Sequence, residues 1–431
     1  MKRNSHRIGV FVFSLVTCAM LMLGLTPPAN AGVKVAGDDT TYLKIGGLLQ
    51  VHGAIAKDGA PTGNDPGMEF YLRRMRLMVY GQLNDKVNYF IETDSPRLGL
   101  KGNHSMNMFI QDAYMELNLH KAIQIDVGML LTPFSHHGMQ GATSLLGLDY
   151  HGGMIKYPSG STKVWRDYGI MIRGMLSKMF EYRIAIMNGV HGNKDPKTYG
   201  TNTIDTDPRN AKDLPRVTTR FTFNFLDPEG GPGVGGMFYD GLYIKKTDDG
   251  IVSTKKVLSV GTSFDWQHNL NIQYKPTSVD GTTEAPLARS IDKSDDYFAV
   301  AGDLFWDIPL GAKKIMSLNG QINGYYYNHG DRSKGLSYYD MVGNKSNFTG
   351  YGVASELGFR YSAYTVLASF DWFDSTDAIT SDTGDFMSIS GGFNYWMFAQ
   401  GFNIKAQLGG TKAGGSDEWG VAGTLQAQLL F

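Results

Sequence analysis

The chain closes on Trp419-Gly420-Val421-Ala422-Gly423-Thr424-Leu425-Gln426-Ala427-Gln428-Leu429-Leu430-Phe431. Val421, Gly423, Leu425, Ala427, Leu429 and Phe431 alternate with Ala422, Thr424, Gln426, Gln428 and Leu430. A strand built from this segment has one apolar face and one face of small or amide side chains. The same period recurs upstream, where Phe402, Ile404, Ala406 and Leu408 alternate with Asn403, Lys405 and Gln407. Met316, Leu318, Gly320, Ile322 and Gly324 likewise alternate with Ser317, Asn319, Gln321 and Asn323. A soluble sandwich has this alternation too, so the period alone does not say whether the apolar face meets a core or lipid.

The sum over the chain says more. Sixteen candidate strands cover about 42–56, 69–82, 87–94, 107–119, 122–131, 165–176, 180–189, 215–226, 256–267, 296–307, 315–327, 347–361, 364–374, 385–397, 402–411 and 418–431. Short connections such as Asn84-Asp85 or Ser362-Ala363 alternate with long ones, including 132–164, 190–214 and 268–295. A closed antiparallel transmembrane β-barrel, with turns on one rim and loops on the other, produces that rhythm; a sandwich does not. The exception is 227–255, a Gly-rich stretch with Tyr239 and Tyr243 where a short turn is due. It reads as an elaborated turn, or as two more strands that would raise the count to eighteen. Trp306, Tyr361, Trp372, Tyr395, Trp396, Trp419 and Phe431 fall at strand ends, where aromatic girdles meet the two membrane surfaces.

Composition narrows the alternatives. The 431 residues carry 40 Lys and Arg against 41 Asp and Glu, which removes the electrostatic footprint of a nucleic-acid partner. A mean hydropathy of −0.22 argues against a bundle of membrane helices. The high Gly count of 54 and the 12% aromatic content suit tight turns and girdles. Lys2, Arg3 and Arg7, the uncharged run Ile8 to Leu25 and Ala29-Asn30-Ala31 form a secretory signal, 1–31, cut before Gly32. Pro27-Pro28 and the small-x-small site argue against an uncleaved anchor helix. The lone cysteine, Cys18, leaves with this segment, and 32–431 is a single barrel domain for an oxidising envelope compartment.

Several stretches resemble the phosphate-selective porin O and P family of bacterial outer membranes. They are Phe70-Tyr71-Leu72-Arg73-Arg74-Met75-Arg76-Leu77 with Gly81, Asp112-Ala113-Tyr114-Met115-Glu116, Gly128 with Pro133-Phe134, Gly302-Asp303-Leu304-Phe305-Trp306-Asp307-Ile308-Pro309-Leu310, and the closing Phe431. The resemblance implies a sixteen-stranded trimeric channel whose third long loop, here Thr132 to Val164, folds inward as a constriction. It also implies a preference for anions such as phosphate. Family members commonly carry Lys just before the Pro-Pro-Phe of that loop, however, and this chain has Leu131-Thr132-Pro133-Phe134.

The polar faces place Lys44, Arg74, Arg76, Arg173, Arg183, Arg216, Arg220, Arg360 and Lys405 in the lumen, with Glu92, Asp94, Asp112, Glu116, Asp126, Asp167, Glu181, Asp265, Asp303, Asp307, Glu356 and Asp371. Arg73 points the other way, toward the interface. Arg74, Arg76, Arg173, Arg183, Arg216 and Arg220 form a candidate anion track, opposed by an acidic wall of Glu92, Asp94, Asp112, Glu116 and Asp126. Alternatively the arginines pair with neighbouring acids and stiffen the wall. The spacing of His136, His137 and His151 fits no common zinc pattern, and loop histidines are ordinarily solvated, so no metal is expected. Asp205, Asp207 and Asp213, and Asp292, Asp295 and Asp296, lack calcium-loop spacing. No G-x-S-x-G, H-E-x-x-H or phosphate-cradling motif occurs, so neither an enzyme nor a cofactor is expected.

The expected protein is an outer-membrane porin that passes small hydrophilic solutes by diffusion, with outer-membrane lipid and two further copies of itself as partners. The alternative is a structural or interaction barrel without open conductance.

Overall fold

The computed structural model describes residues 32–431 apart from 106, 163, 193–196, 200, 201, 205–207, 275–290, 332–336, 338, 340–345 and 377–383. The expected signal segment with Cys18, together with Asp205 and Asp207, lies outside the described residues.

Sixteen strands form one ring. The first eight are β1 (Tyr42–Ala56), β2 (Gly67–Asn84), β3 (Val87–Asp94), β4 (Phe109–His120), β5 (Ile123–Leu131), β6 (Arg166–Met175), β7 (Phe180–Met187) and β8 (Arg216–Asn224). The others are β9 (Val257–Tyr274), β10 (Ile291–Leu310), β11 (Met316–Asn328), β12 (Gly350–Tyr361), β13 (Tyr364–Ser375), β14 (Phe386–Gln400), β15 (Phe402–Ala413) and β16 (Gly420–Leu430). Each pairs antiparallel with the next, and β16 returns to β1 from Leu48↔Leu430 to Ala56↔Ala422. Closure leaves no strand edge unpaired, which a bilayer demands because lipid offers backbone groups no hydrogen-bond partner. The seam is tight. Gly47 N–H donates to Phe431 O at 2.8 Å, and a Cβ at Gly47 would stand 2.6 Å from the Phe431 ring.

The count is sixteen because 227–255 stays out of the ring. Its strands, Ile244–Thr247 and Gly250–Ser253, pair only with each other as a separate hairpin. A further short strand, Val33–Gly37, lies along the start of β1. Strands β9 and β10 overrun the expected 256–267 and 296–307. Their extensions are rich in Asn, Gln and Asp, so the ladder continues beyond the apolar belt with a composition that reads as loop.

Ile170, Ile172, Ile184, Ile186, Leu357, Phe359 and Leu408 are exposed on the outside, while Arg173, Arg183, Glu356, Arg360 and Lys405 are 0–4% exposed inside. This inverts a soluble protein, as a lipid-facing wall requires. The girdle gains Tyr351 and Tyr364 beside Tyr361 and Trp372, all outward. Trp396 is the exception to the expected set. It points inward, fully buried, packs with Leu242, Ile244 and Ile251, and donates its indole N–H to Thr365 Oγ1 at 2.9 Å.

Candidate functional site

Inward side chains of an empty barrel would be wet, and most of these are dry, because two chain segments fill the lumen. The first is 132–164. Phe134 enters among Tyr157, Tyr325 and Tyr327 with ring centroids 5.9, 6.2 and 6.0 Å away. Ser135 caps a single helical turn, α1 (His136–Met139), its Oγ accepting from Gly138 N–H at 3.0 Å. The chain then runs against the β14–β16 and β1 wall, where side chains take up backbone groups that have no strand partner. Gln50 donates to Ala142 O at 3.2 Å, Gln428 to Thr143 O at 2.9 Å and Asn394 to Leu146 O at 2.8 Å. Lys405 Nζ donates to Leu145 O and to Gly147 O. The amide-rich polar faces read from the sequence are thus a docking surface for this loop.

The second segment is 227–255, and arginines hold it. Arg173 donates to Gly231 O at 2.6 Å, Arg183 to Met237 O at 2.6 Å, and Arg360 to Ile251 O at 2.8 Å and Ser253 Oγ at 2.6 Å. Tyr239 takes the cationic faces of Arg183 and Arg220, 4.6 and 5.3 Å from its centroid. The two segments meet: Tyr239 N–H donates to Met139 O at 3.0 Å and Gly141 N–H to Tyr239 O at 2.9 Å.

All six arginines of the candidate track and all five acids of the candidate wall face inward; Arg76 and Arg173 pair with acids of that wall, and the other four take acids elsewhere in the lumen. Arg76 binds Glu92 at 2.7 Å and Asp94 at 3.2 Å. Arg173 joins Glu116 and, at 2.7 Å, Asp126. Arg183 binds Glu181 at 2.7 Å, Arg216 binds Asp265 at 2.6 Å and Arg220 binds Asp303 at 2.6 Å. Asp112 receives Arg166 at 3.0 Å, a cation at the start of β6 that strand alternation did not single out. Arg74 binds Asp149 of the loop at 2.5 Å.

Arg73 also reaches Asp149, at 2.5 Å, rather than pointing out to the interface. The register explains it: Gln50 faces Arg74 and Val51 faces Leu72, so Arg73 is the extra residue of a β-bulge. A bulge breaks the strict alternation on which its outward assignment rested.

The loop histidines are buried rather than solvated. His151 lies between Asp371, 2.5 Å from its Nδ1, and Glu356, 3.5 Å from its Nε2. Burial disfavours its imidazolium, but these two carboxylates outweigh that and raise its pKa to about 10. Burial and the neighbouring His151 charge push His137 down to about 3, so His137 is neutral. Arg74 and Arg73 overcome burial to hold Asp149 well below the usual carboxylate range.

Among the described residues, His137, His151 and Glu356 form the group with ligand atoms near enough to hold a metal, within 4.8 Å of one another. The Gln321 amide nitrogen already contacts both Glu356 Oε1 and, at 2.9 Å, His137 Nδ1, and His137 Nε2 accepts His151 N–H at 2.9 Å. Protein groups therefore already engage all three members of the cluster. In the candidate calcium groups, Asp213 binds His191 and Asp296 binds His268.

Loop residues 147–153 and the inner faces of β12–β16 line an open cavity of about 500 Å³.

The family model of the phosphate-selective porins O and P matches residues 49–283. The outer membrane channel DcaP of Acinetobacter baumannii is similar in fold, with 13% identity over 93% of this chain and 100% of that chain, and a TM-score of 0.53. OmpF of Salmonella typhi, solved with daunomycin, matches with 11% identity over 92% of this chain and 99% of that chain, and a TM-score of 0.52. No curated protein sequence matches the chain. With over half of its length fitting that family model and its sixteen strands closed around an inward loop, the chain belongs to the phosphate-selective porin O and P family.

Proposed function

We propose that the protein is a porin of the bacterial outer membrane through which small hydrophilic solutes diffuse. The observation that carries this is the closed ring with an apolar outside, a polar inside and a side cavity next to an inward loop. Family and fold point to a channel rather than an enzyme. Segment 132–164 sets the size limit, and 1–31 is the export signal. The family supports a homotrimer. The six arginines act as a frame, engaged by carboxylates and loop carbonyls. Planar-bilayer recording of the mature protein tests the reading: stepwise conductance is expected. N-terminal sequencing should begin at Gly32, and an intact Met1 would revive the anchor helix.

The packing of 227–255 inside the barrel favours a second reading, a barrel held shut for a structural role. Silence in the bilayer from well-folded protein would select it.

A further inference from the structure

The cavity beside the loop differs in chemistry from the rest of the lumen. Its wall is made of hydroxyls and an amide: Ser390 Oγ lies 2.6 Å from Ser369 Oγ and 2.5 Å from Gln407 Nε2, and Thr411 Oγ1 lies 3.2 Å from Ser388 Oγ. Gly409, Gly410 and Gly420 keep this wall low, and the Phe386 ring supplies one apolar side. Three carboxylates reach the cavity, and cations engage all three. Asp149 is held by Arg73 and Arg74, while Asp371 and Glu356 share His151. The ammonium of Lys405, on the same wall, is turned to the loop carbonyls of Leu145 and Gly147.

Among the described residues that line it, a phosphate entering here would find no unengaged cation, and a cationic solute no unengaged carboxylate. What remains on offer are groups that both donate and accept hydrogen bonds at short spacing, beside an aromatic face. We propose that this cavity is a selectivity subsite for small uncharged solutes bearing several hydroxyls, a sugar or polyol. The proposal rests on the porin reading and deepens it. Its volume falls in the range of about 300–1,000 Å³ typical of small-molecule sites. Exchangeable hydroxyl contacts hold a solute firmly enough to admit it and weakly enough to release it, as permeation requires.

Maltose and inorganic phosphate serve as probes. In planar bilayers, maltose on one side is expected to reduce the potassium chloride current in a saturable way, with phosphate not competing. Isothermal titration of the detergent-solubilised protein with maltose reads the same site without conduction. Ser390→Val removes the hydroxyl shared by Ser369 and Gln407 and should weaken maltose binding about tenfold, the worth of one hydrogen bond. Maltose heat and block that are both absent from conducting channels would overturn the proposal, as would block by phosphate alone. Absence of conductance with maltose heat retained would overturn the porin reading and leave the subsite standing.

Discussion

Arg220 holds Asp303 with two hydrogen bonds of 2.6 and 2.8 Å, and both side chains are out of contact with solvent. Removing one partner of such a pair strands a buried charge, which costs about 3–5 kcal/mol. Arg220→Ala is therefore expected to lower the temperature at which the folded band is lost on heating in detergent gels. Removing both pairs whole, Arg216→Ala with Asp265→Ala and Arg220→Ala with Asp303→Ala, should leave the reversal potential in a salt gradient where it was, because each pair carries no net charge. A shift toward cations would make these arginines conducting groups instead. On the outside, Ile184 is exposed at the middle of the β6–β7–β8 wall, between Ile172 and Thr219. Ile184→Arg should cost about 2–4 kcal/mol near the midplane, read from the equilibrium of folding into vesicles. The facing of these residues was legible in a period of two. Their partners were not: alternation fixes the side of a wall a residue takes, whereas pairing depends on which strands register, and a single bulge was enough to turn Arg73 inward.

At the scale of elements, the loop 132–164 is latched to β12 and β13 by His151 and to β2 by Asp149. His151 has a raised pKa, so its contribution is complete below its ordinary value near 6.5 and is lost as pH climbs through about 10. Asp149 has a lowered pKa, so its contribution is present above its ordinary value near 3.9 and is lost as pH falls through the depressed one. Channel current recorded across pH should thus be steady through the neutral range and change as pH approaches about 10. His151→Gln should abolish that alkaline change. The segment 227–255 makes the other prediction. Strands β8 and β9 already stand in register at Asn224↔Ser259, so a two-residue turn can replace the insertion without disturbing the ring. Unitary conductance should rise in that variant, and an unchanged value would mean the insertion lies clear of the solute path. The loop's length and inward fold were expected from the sequence and its family resemblance. The inward course of 227–255 carries no periodic signal, since its contacts are backbone carbonyls taken by distant arginines.

For the whole molecule, closure and filling are separate matters. Closure follows from local rules repeated sixteen times, with apolar and polar side chains alternating, turns and loops alternating, and the final Phe431 seated over Gly47. Those rules act between neighbours in sequence or across one hairpin, so the sequence by itself determined a closed β-barrel of sixteen or eighteen strands and the side of the wall that most strand residues take. Filling is decided by contacts between residues more than a hundred positions apart, such as Lys405 with Leu145, Gln428 with Thr143 and Arg360 with Ile251. Only the tertiary structure could decide that the charged wall is paired and buried, that His151 and Trp396 are buried, and that a cavity opens along a hydroxyl-lined face. The physical reason is that a side chain's charge is written in its identity, but the water and counter-charge that set its effect come from whatever the fold brings beside it.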